Sequence, residues 1–272
     1  MANLLKRLHL VGLAFWGTSV LAGGLPFQNL GVNDYKNVVE EFSANFVFAP
    51  VSGAKGLGSP FGVEFGAMTG RTQSPMIDRY VKEVNPNISN DNLPHISLLG
   101  ALTIPLGLTF EAGYLPTMGT SYFKFNTMAA AVKWTPTDFF ENSPVHLAAR
   151  AHIQRSALEY SYYITPDAKT DFEYESVVSG ATALLSFEIA PMVEPYVGFG
   201  VVTGQGKLKA TGNDTVFSDP TFKENGEAKA TVASPIWMAG VELKMGILRF
   251  GFEYSQQFGV DTYNGKFTFV PF

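Results

Sequence analysis

The chain has 272 residues with 24 acidic and 19 basic side chains, a formal charge of -5, and no long basic run, which argues against nucleic-acid binding. It is 46% hydrophobic, 14% aromatic and 16% charged, against a usual charged share of about 25%, a balance that excludes disorder and favours pleated structure. The absence of cysteine excludes disulfides, thiolate metal sites and cysteine nucleophiles.

The first residues, MANLLKRLHLVGLAFWGTSVLAGG, place Lys6 and Arg7 before an apolar run from Leu8 to Ala22. Val20 and Ala22 fit the small-residue positions of a signal-peptidase site, so residues 1–22 are expected to be a cleaved signal peptide. The alternative is a membrane anchor, for which the run is short against about 20 residues. No later segment offers about 18 uninterrupted apolar residues, which excludes a helical membrane protein. A soluble secreted β-domain and a transmembrane β-barrel remain.

Residues 23–46 are expected to form a helical or plug segment. Tyr35, Val38, Val39 and Phe42 recur at helical spacing, with Asn33 or Asp34 available as a cap. Residues 47–272 are then assigned to the barrel, because the period switches to two. In ILRFGFEYS, Leu248, Phe250, Phe252 and Tyr254 share one face and Arg249, Gly251, Glu253 and Ser255 the other. The same alternation marks LGLTFEAGYLP, PVHLAARAHIQ and SGATALLSFEIA, and segments near 60–70, 94–104, 121–134, 194–207, 230–244 and 262–271. Each is about ten residues or longer, the length of a tilted membrane strand, whereas soluble strands average about five or six. Short connections at Pro105–Gly107, Ala190–Glu194 and Lys244–Gly246 alternate with longer polar ones near 71–92, 158–171 and 208–228. Thr135 to Pro144 is a longer turn on the short side. The expected fold is all-β: a transmembrane antiparallel up-and-down barrel of about ten to twelve strands with a short N-terminal helix. ANFVFAP, residues 44–50, is a candidate additional strand.

Alternation assigns faces. Glu64, Glu111, Arg150, Glu188, Arg249 and Glu253 are the predicted lumen lining, with Glu242, Lys124, His146 and His152 on the same faces. Lys or Arg on the lipid face costs about 2–4 kcal/mol at the midplane, so charges are expected to turn inward. They would tune a pore, or pair into a network that fills it. Phe187, Phe199, Trp237, Phe250, Phe252, Tyr254 and Phe269 are expected to face lipid.

Chemistry is sparse. His146 and His152 would stand about 20 Å apart on one strand, too far to share a metal. His95 lies near Ser97, but no G-x-S-x-G sequence supports a hydrolase. VGFGVVTGQG carries Gly198, Gly200, Gly204 and Gly206 on one face of a strand, a spacing that relieves crowding rather than cradling a nucleotide. Two N-x-S/T sequences, at Asn87 and Asn213, read as loop residues. No cofactor is implied.

The leader, the short acidic helix, FSANFVFAPVSGAKGLGSPFGVEFGAMTG, PHISLLGALTIPLGLTFEAGYLP and PYVGFGVVTG together resemble a bacterial outer-membrane barrel family of uncertain function. The segment ahead of the barrel is more distantly similar in arrangement to outer-membrane long-chain fatty-acid transporters, with no matching ligand residues. The resemblance implies an outer-membrane location, with membrane lipid, lipopolysaccharide and the barrel-assembly machinery as partners. The end of the chain, YNGKFTFVPF, carries Phe272 as the expected assembly signal. Val270 keeps its phase, Thr268 breaks it, and Phe267 and Phe269 have the opposite parity. The expected function is a narrow channel or uptake barrel for small or hydrophobic solutes. A structural or adhesive barrel is the alternative, and a barrel lipid hydrolase a third.

Overall fold

The computed structural model describes residues 32–58, 61–84, 86–87, 89–120, 123–139, 143–165, 168–189, 192–212 and 227–271. Ten strands close into one barrel in which every strand pairs antiparallel with its sequence neighbours and β1 pairs with β10. They are β1 (Gly62–Gln73), β2 (Asn92–Ile104), β3 (Leu108–Gly119), β4 (Phe123–Trp134), β5 (Val145–Thr165), β6 (Ala168–Phe187), β7 (Val193–Gly212), β8 (Glu227–Met245), β9 (Leu248–Gln257) and β10 (Val260–Phe269). Closure pairs Phe65 with Phe269 and Thr72 with Thr262. It joins the first strand to the last, so the sheet has no terminal strand. The expected strand count of ten to twelve resolves to ten.

Alternation decides the faces. Along β5, Val145, Leu147, Ala149, Ala151 and Ile153 point outward, and His146, Ala148, Arg150, His152 and Gln154 are buried inside. Phe187, Phe199, Trp237 and Phe252 are exposed on the outer face. Aromatic rings cluster there across β8, β9, β10 and β1, with Phe250–Phe267 centroids 5.0 Å apart and Phe65–Phe269 5.7 Å apart. An apolar outside around a polar inside reverses the pattern of a water-soluble barrel.

The two ends differ. One end carries the turns at 105–107 and 246–247, the β6–β7 connection, and the β4–β5 connection with its 3-10 helix Pro136–Phe139. At the other end β5, β6, β7 and β8 run on for 21, 20, 20 and 19 residues, against 10 to 13 for the other six. They raise a wall on one side of the mouth. Its outer face is laced with ion pairs such as Arg155–Glu175, 3.2 Å, and Lys207–Glu227, 3.2 Å. The polar stretch expected as a loop near 158–171 is therefore mostly strand. Glu159 faces water beyond the apolar band, while Tyr160, Phe172 and Tyr174 face in. Not every connection at this end is long, since Phe258 and Gly259 turn β9 into β10 with both φ positive.

Helix α1 (Val32–Asn45) lies inside the mouth against this wall. Tyr35, Val38, Val39 and Phe42 are buried, and Tyr35 donates to the Ala228 carbonyl at 3.1 Å. Gly204 and Gly206 of β7 make room for it: a Cβ at either would collide with Ser43 or Val39. The crowding-relief reading of these glycines thus acquires its neighbour. A second helix, α2 (Pro75–Val84), sits in the β1–β2 connection. Ser74-Pro75 gives it a start signal that the periodicity reading passed over.

The barrel wall begins at Gly62, not at residue 47. Residues 46–58 descend through the lumen as an irregular strap and pair with no strand. ANFVFAP is apolar from Phe46 onward because it has walls on every side and all of its residues are buried. The signal peptide and Phe272 fall outside the described residues.

Candidate functional site

Two features of the lumen bear on function: a charged sleeve around the strap, and an apolar cluster that meets an unpaired seam in the wall.

In the sleeve, wall side chains take the main chain of residues 52–57. The N–H groups of Ala54, Lys55, Gly56 and Leu57 donate to Ser186 Oγ, Glu194 Oε1, Asp138 Oδ2 and Thr103 Oγ1 at 3.0–3.2 Å. Lys133, fully buried, donates to the carbonyls of Gly53 at 2.8 Å and Lys55 at 3.0 Å. Thr135 donates to the Ala54 carbonyl at 2.6 Å, and Arg249 to that of Leu57 at 3.3 Å. An irregular backbone in a closed lumen is tolerable only where its polar groups are satisfied in this way.

The predicted lining residues stand around this strap. Arg150 meets Glu111 at 3.0 Å, and both bond Ser52 of the strap. Lys266 bridges Glu64 at 2.8 Å and Glu242 at 3.6 Å, and Arg249 meets Glu242 at 2.8 Å. Glu253 accepts from Tyr196 Oη at 2.8 Å and Asn264 Nδ2 at 3.3 Å. Glu188 lies past the end of β6, where Lys55 and Lys244 meet it at 2.8 and 3.3 Å. Burial pushes its carboxyl up, but the hydrogen bond from Lys55 and the charge of Lys244 outweigh this and hold it below the ordinary value. Lys124 is a correction: it points outward beyond the apolar band and pairs with Glu159 at 3.2 Å. It is in phase with the outward even positions of β4, such as Met128 and Val132, whereas the odd positions from Phe125 to Lys133 face inward. Lys133 and Lys266 were missed; both lie on inward positions of strands whose alternation was already visible.

His95 bonds Asn45 Oδ1 through Nδ1 at 2.9 Å and Asn264 Oδ1 through Nε2 at 2.8 Å, rather than Ser97. His95 is thus a tie between plug and wall.

The seam lies between β2 and β3. Their pairing stops at Leu98–Tyr114, so 92–97 of β2 and 115–119 of β3 have no partner across it. The far edges of both strands stay paired, to Gln73 and to Lys124. Pro116 lies in the bulge and cannot donate to a ladder. The lips carry Ile96, Tyr114 and Met118, 44%, 53% and 47% exposed. Behind them, Leu93, Leu115 and Phe125 belong to one apolar cluster with Phe42 and Phe46 of the plug. Ring centroids step from Tyr174 to Phe42 to Phe46 to Phe125 at 4.9, 5.9 and 5.7 Å.

A closed ten-stranded barrel, apolar outside, charged and plugged inside, is a transmembrane β-barrel of the outer-membrane type. The chain belongs to the family of unknown function DUF6588, whose model matches residues 61–265. No curated protein matches it. Among solved structures it is similar to the translocator domain of the autotransporter NalP from Neisseria meningitidis, at 9% identity and TM-score 0.48, over 77% of this chain and 87% of that one. A Pseudomonas aeruginosa FadL homologue matches at 11% identity and TM-score 0.41, over 86% and 66%. The Yersinia pestis attachment protein Ail matches at 10% and 0.30, over 77% and 96%. These likenesses are of fold.

Proposed function

We propose that this protein is an outer-membrane uptake barrel for hydrophobic solutes, which leave it sideways through the β2–β3 seam rather than through the lumen. The observation that carries this reading is the unpaired seam with apolar lips, backed by a continuous apolar cluster. The sleeve around residues 52–57 argues against an axial route, because an apolar molecule would have to displace paired, dehydrated charges. In this reading the long-strand end is external. The ion-paired wall then stands among lipopolysaccharide head groups, and the barrel-assembly machinery inserts the chain.

Ser97 and Leu115 would be the next pair in register across the seam. The chain has no cysteine, so Ser97→Cys with Leu115→Cys introduces a single possible bridge. Uptake of an apolar fluorescent dye by cells expressing the oxidised double variant should fall at least fivefold, and recover on reduction. Equal uptake by oxidised and reduced protein would remove the lateral route.

A further inference from the structure

A small cavity lies between Val47–Ala49 of the strap and the wall formed by β5, β6, β8, β9 and β10. Its volume is about 10 Å³, room for one hydroxyl or water-sized group. Its apolar side is Val47, Ile236 and Met238, members of the same cluster that reaches Leu115 and Phe125 at the seam. Its polar side includes His152, Thr182 and Gln257, which are 6%, 5% and 2% exposed. Three polar atoms of these residues, His152 Nε2, Thr182 Oγ1 and Gln257 Oε1, are buried and make no hydrogen bond. Leaving such a group unpaired costs about 1–3 kcal/mol, so three around one cavity call for an occupant.

The kind of occupant follows from what is already spent. Arg150 is taken by Glu111 and Ser52, and Glu253 by Tyr196 and Asn264. A cation and an anion therefore share the cavity wall; Arg150 is offset by Glu111, and each oxygen of Glu253 already accepts a hydrogen bond. The unspent capacity is neutral. Gln257 Nε2 donates to the Ala44 carbonyl at 3.2 Å and to Thr262 Oγ1 at 2.9 Å, which fixes its amide and leaves Oε1 as an acceptor. Thr182 both donates and accepts, and His152 Nε2 does one or the other with its tautomer. A hydroxyl fits this set: it donates to Gln257 and accepts from Thr182 or His152.

We propose that this cavity is the head-group site of the barrel's ligand, and that the ligand is an amphiphile with one uncharged hydrogen-bonding head and an apolar tail. The head sits between Thr182, His152 and Gln257, and the tail follows the cluster toward the seam. This rests on the uptake reading and adds the substrate class to it.

The test uses the full-length protein in lipid nanodiscs, with 1-dodecanol, dodecane, dodecanoate and dodecyltrimethylammonium competing against an apolar fluorescent probe. The alcohol should bind at least fivefold more tightly than each of the other three. In Thr182→Val, and independently in His152→Leu, its advantage over dodecane should fall below twofold. Each variant is first shown to migrate heat-modifiably like the parent, so that loss of fold is separated from loss of the site. Equal binding of alcohol and dodecane, preference for either charged amphiphile, or an advantage that survives both substitutions would overturn the head-group site while leaving uptake standing. Failure of all four to compete would overturn the uptake reading with it.

Discussion

Arg150 and Glu111, both nearly inaccessible, show at the scale of single residues how this lumen tolerates charge. Neither is stable there without the other, because removing one leaves an uncompensated buried charge. Arg150→Met should destabilise the barrel by about 3–5 kcal/mol, read from guanidinium unfolding in detergent. Replacing both with apolar residues should recover most of the loss. Glu188 makes a different prediction. Its folded pKa lies below the ordinary carboxylate value of 4.5, held there against burial by Lys55 and Lys244. Its contribution is therefore present above that ordinary value and is lost as pH falls through the depressed folded value. Protease sensitivity of the strap should rise below about pH 4.5 in the parent, and Glu188→Gln should flatten that acid limb. The charges themselves were legible in the sequence, since period-two alternation puts them inward. Their partners were not. Glu64 and Lys266 are two hundred residues apart in the chain and meet only because β1 closes on β10.

At the scale of elements, α1 and α2 are joined end to side by Glu41. Its carboxylate accepts from the N–H groups of Met76 at 2.7 Å and Ile77 at 2.9 Å, in the first turn of α2. These are donors that a helix cannot satisfy by itself, and a negative charge is favoured there. Burial raises the Glu41 pKa, with the two N–H bonds opposing it, so this carboxylate loses its charge at a higher pH than an exposed glutamate does. Glu41→Ala should cost about 0.5–2 kcal/mol of local stability, seen as faster hydrogen exchange across Pro75–Val84 with the strands unaffected. Glu41→Gln, which keeps one acceptor, should do about half as much. Helix α1 was readable from its 3.6-residue pattern. The strap misled, because ANFVFAP is a short apolar run that reads like a buried strand but has no neighbour to pair with. The seam was invisible for the converse reason. PHISLL and EAGYLP each read as strand, and only the register shows that they part.

For the molecule as a whole, the sleeve makes a prediction about conduction. With the strap held by Lys133, Thr135 and Arg249, the parent should be electrically silent in planar bilayers. Lys133→Met removes two charge-assisted hydrogen bonds of about 1.5–3 kcal/mol each, which releases Gly53 and Lys55 and should produce flickering conductance. A silent variant that still folds would show that the strap does not depend on this lysine. The sequence by itself determined that the chain is a β-barrel with an apolar outside and a charged inside, because a period of two sorts side chains without reference to any partner. It also determined that a helix precedes the barrel. Only the tertiary structure decided that the lumen is filled, that the charges are paired, and that the wall parts between β2 and β3. Each of these depends on contacts between segments distant in sequence, and a pattern along one strand carries no information about what stands across from it.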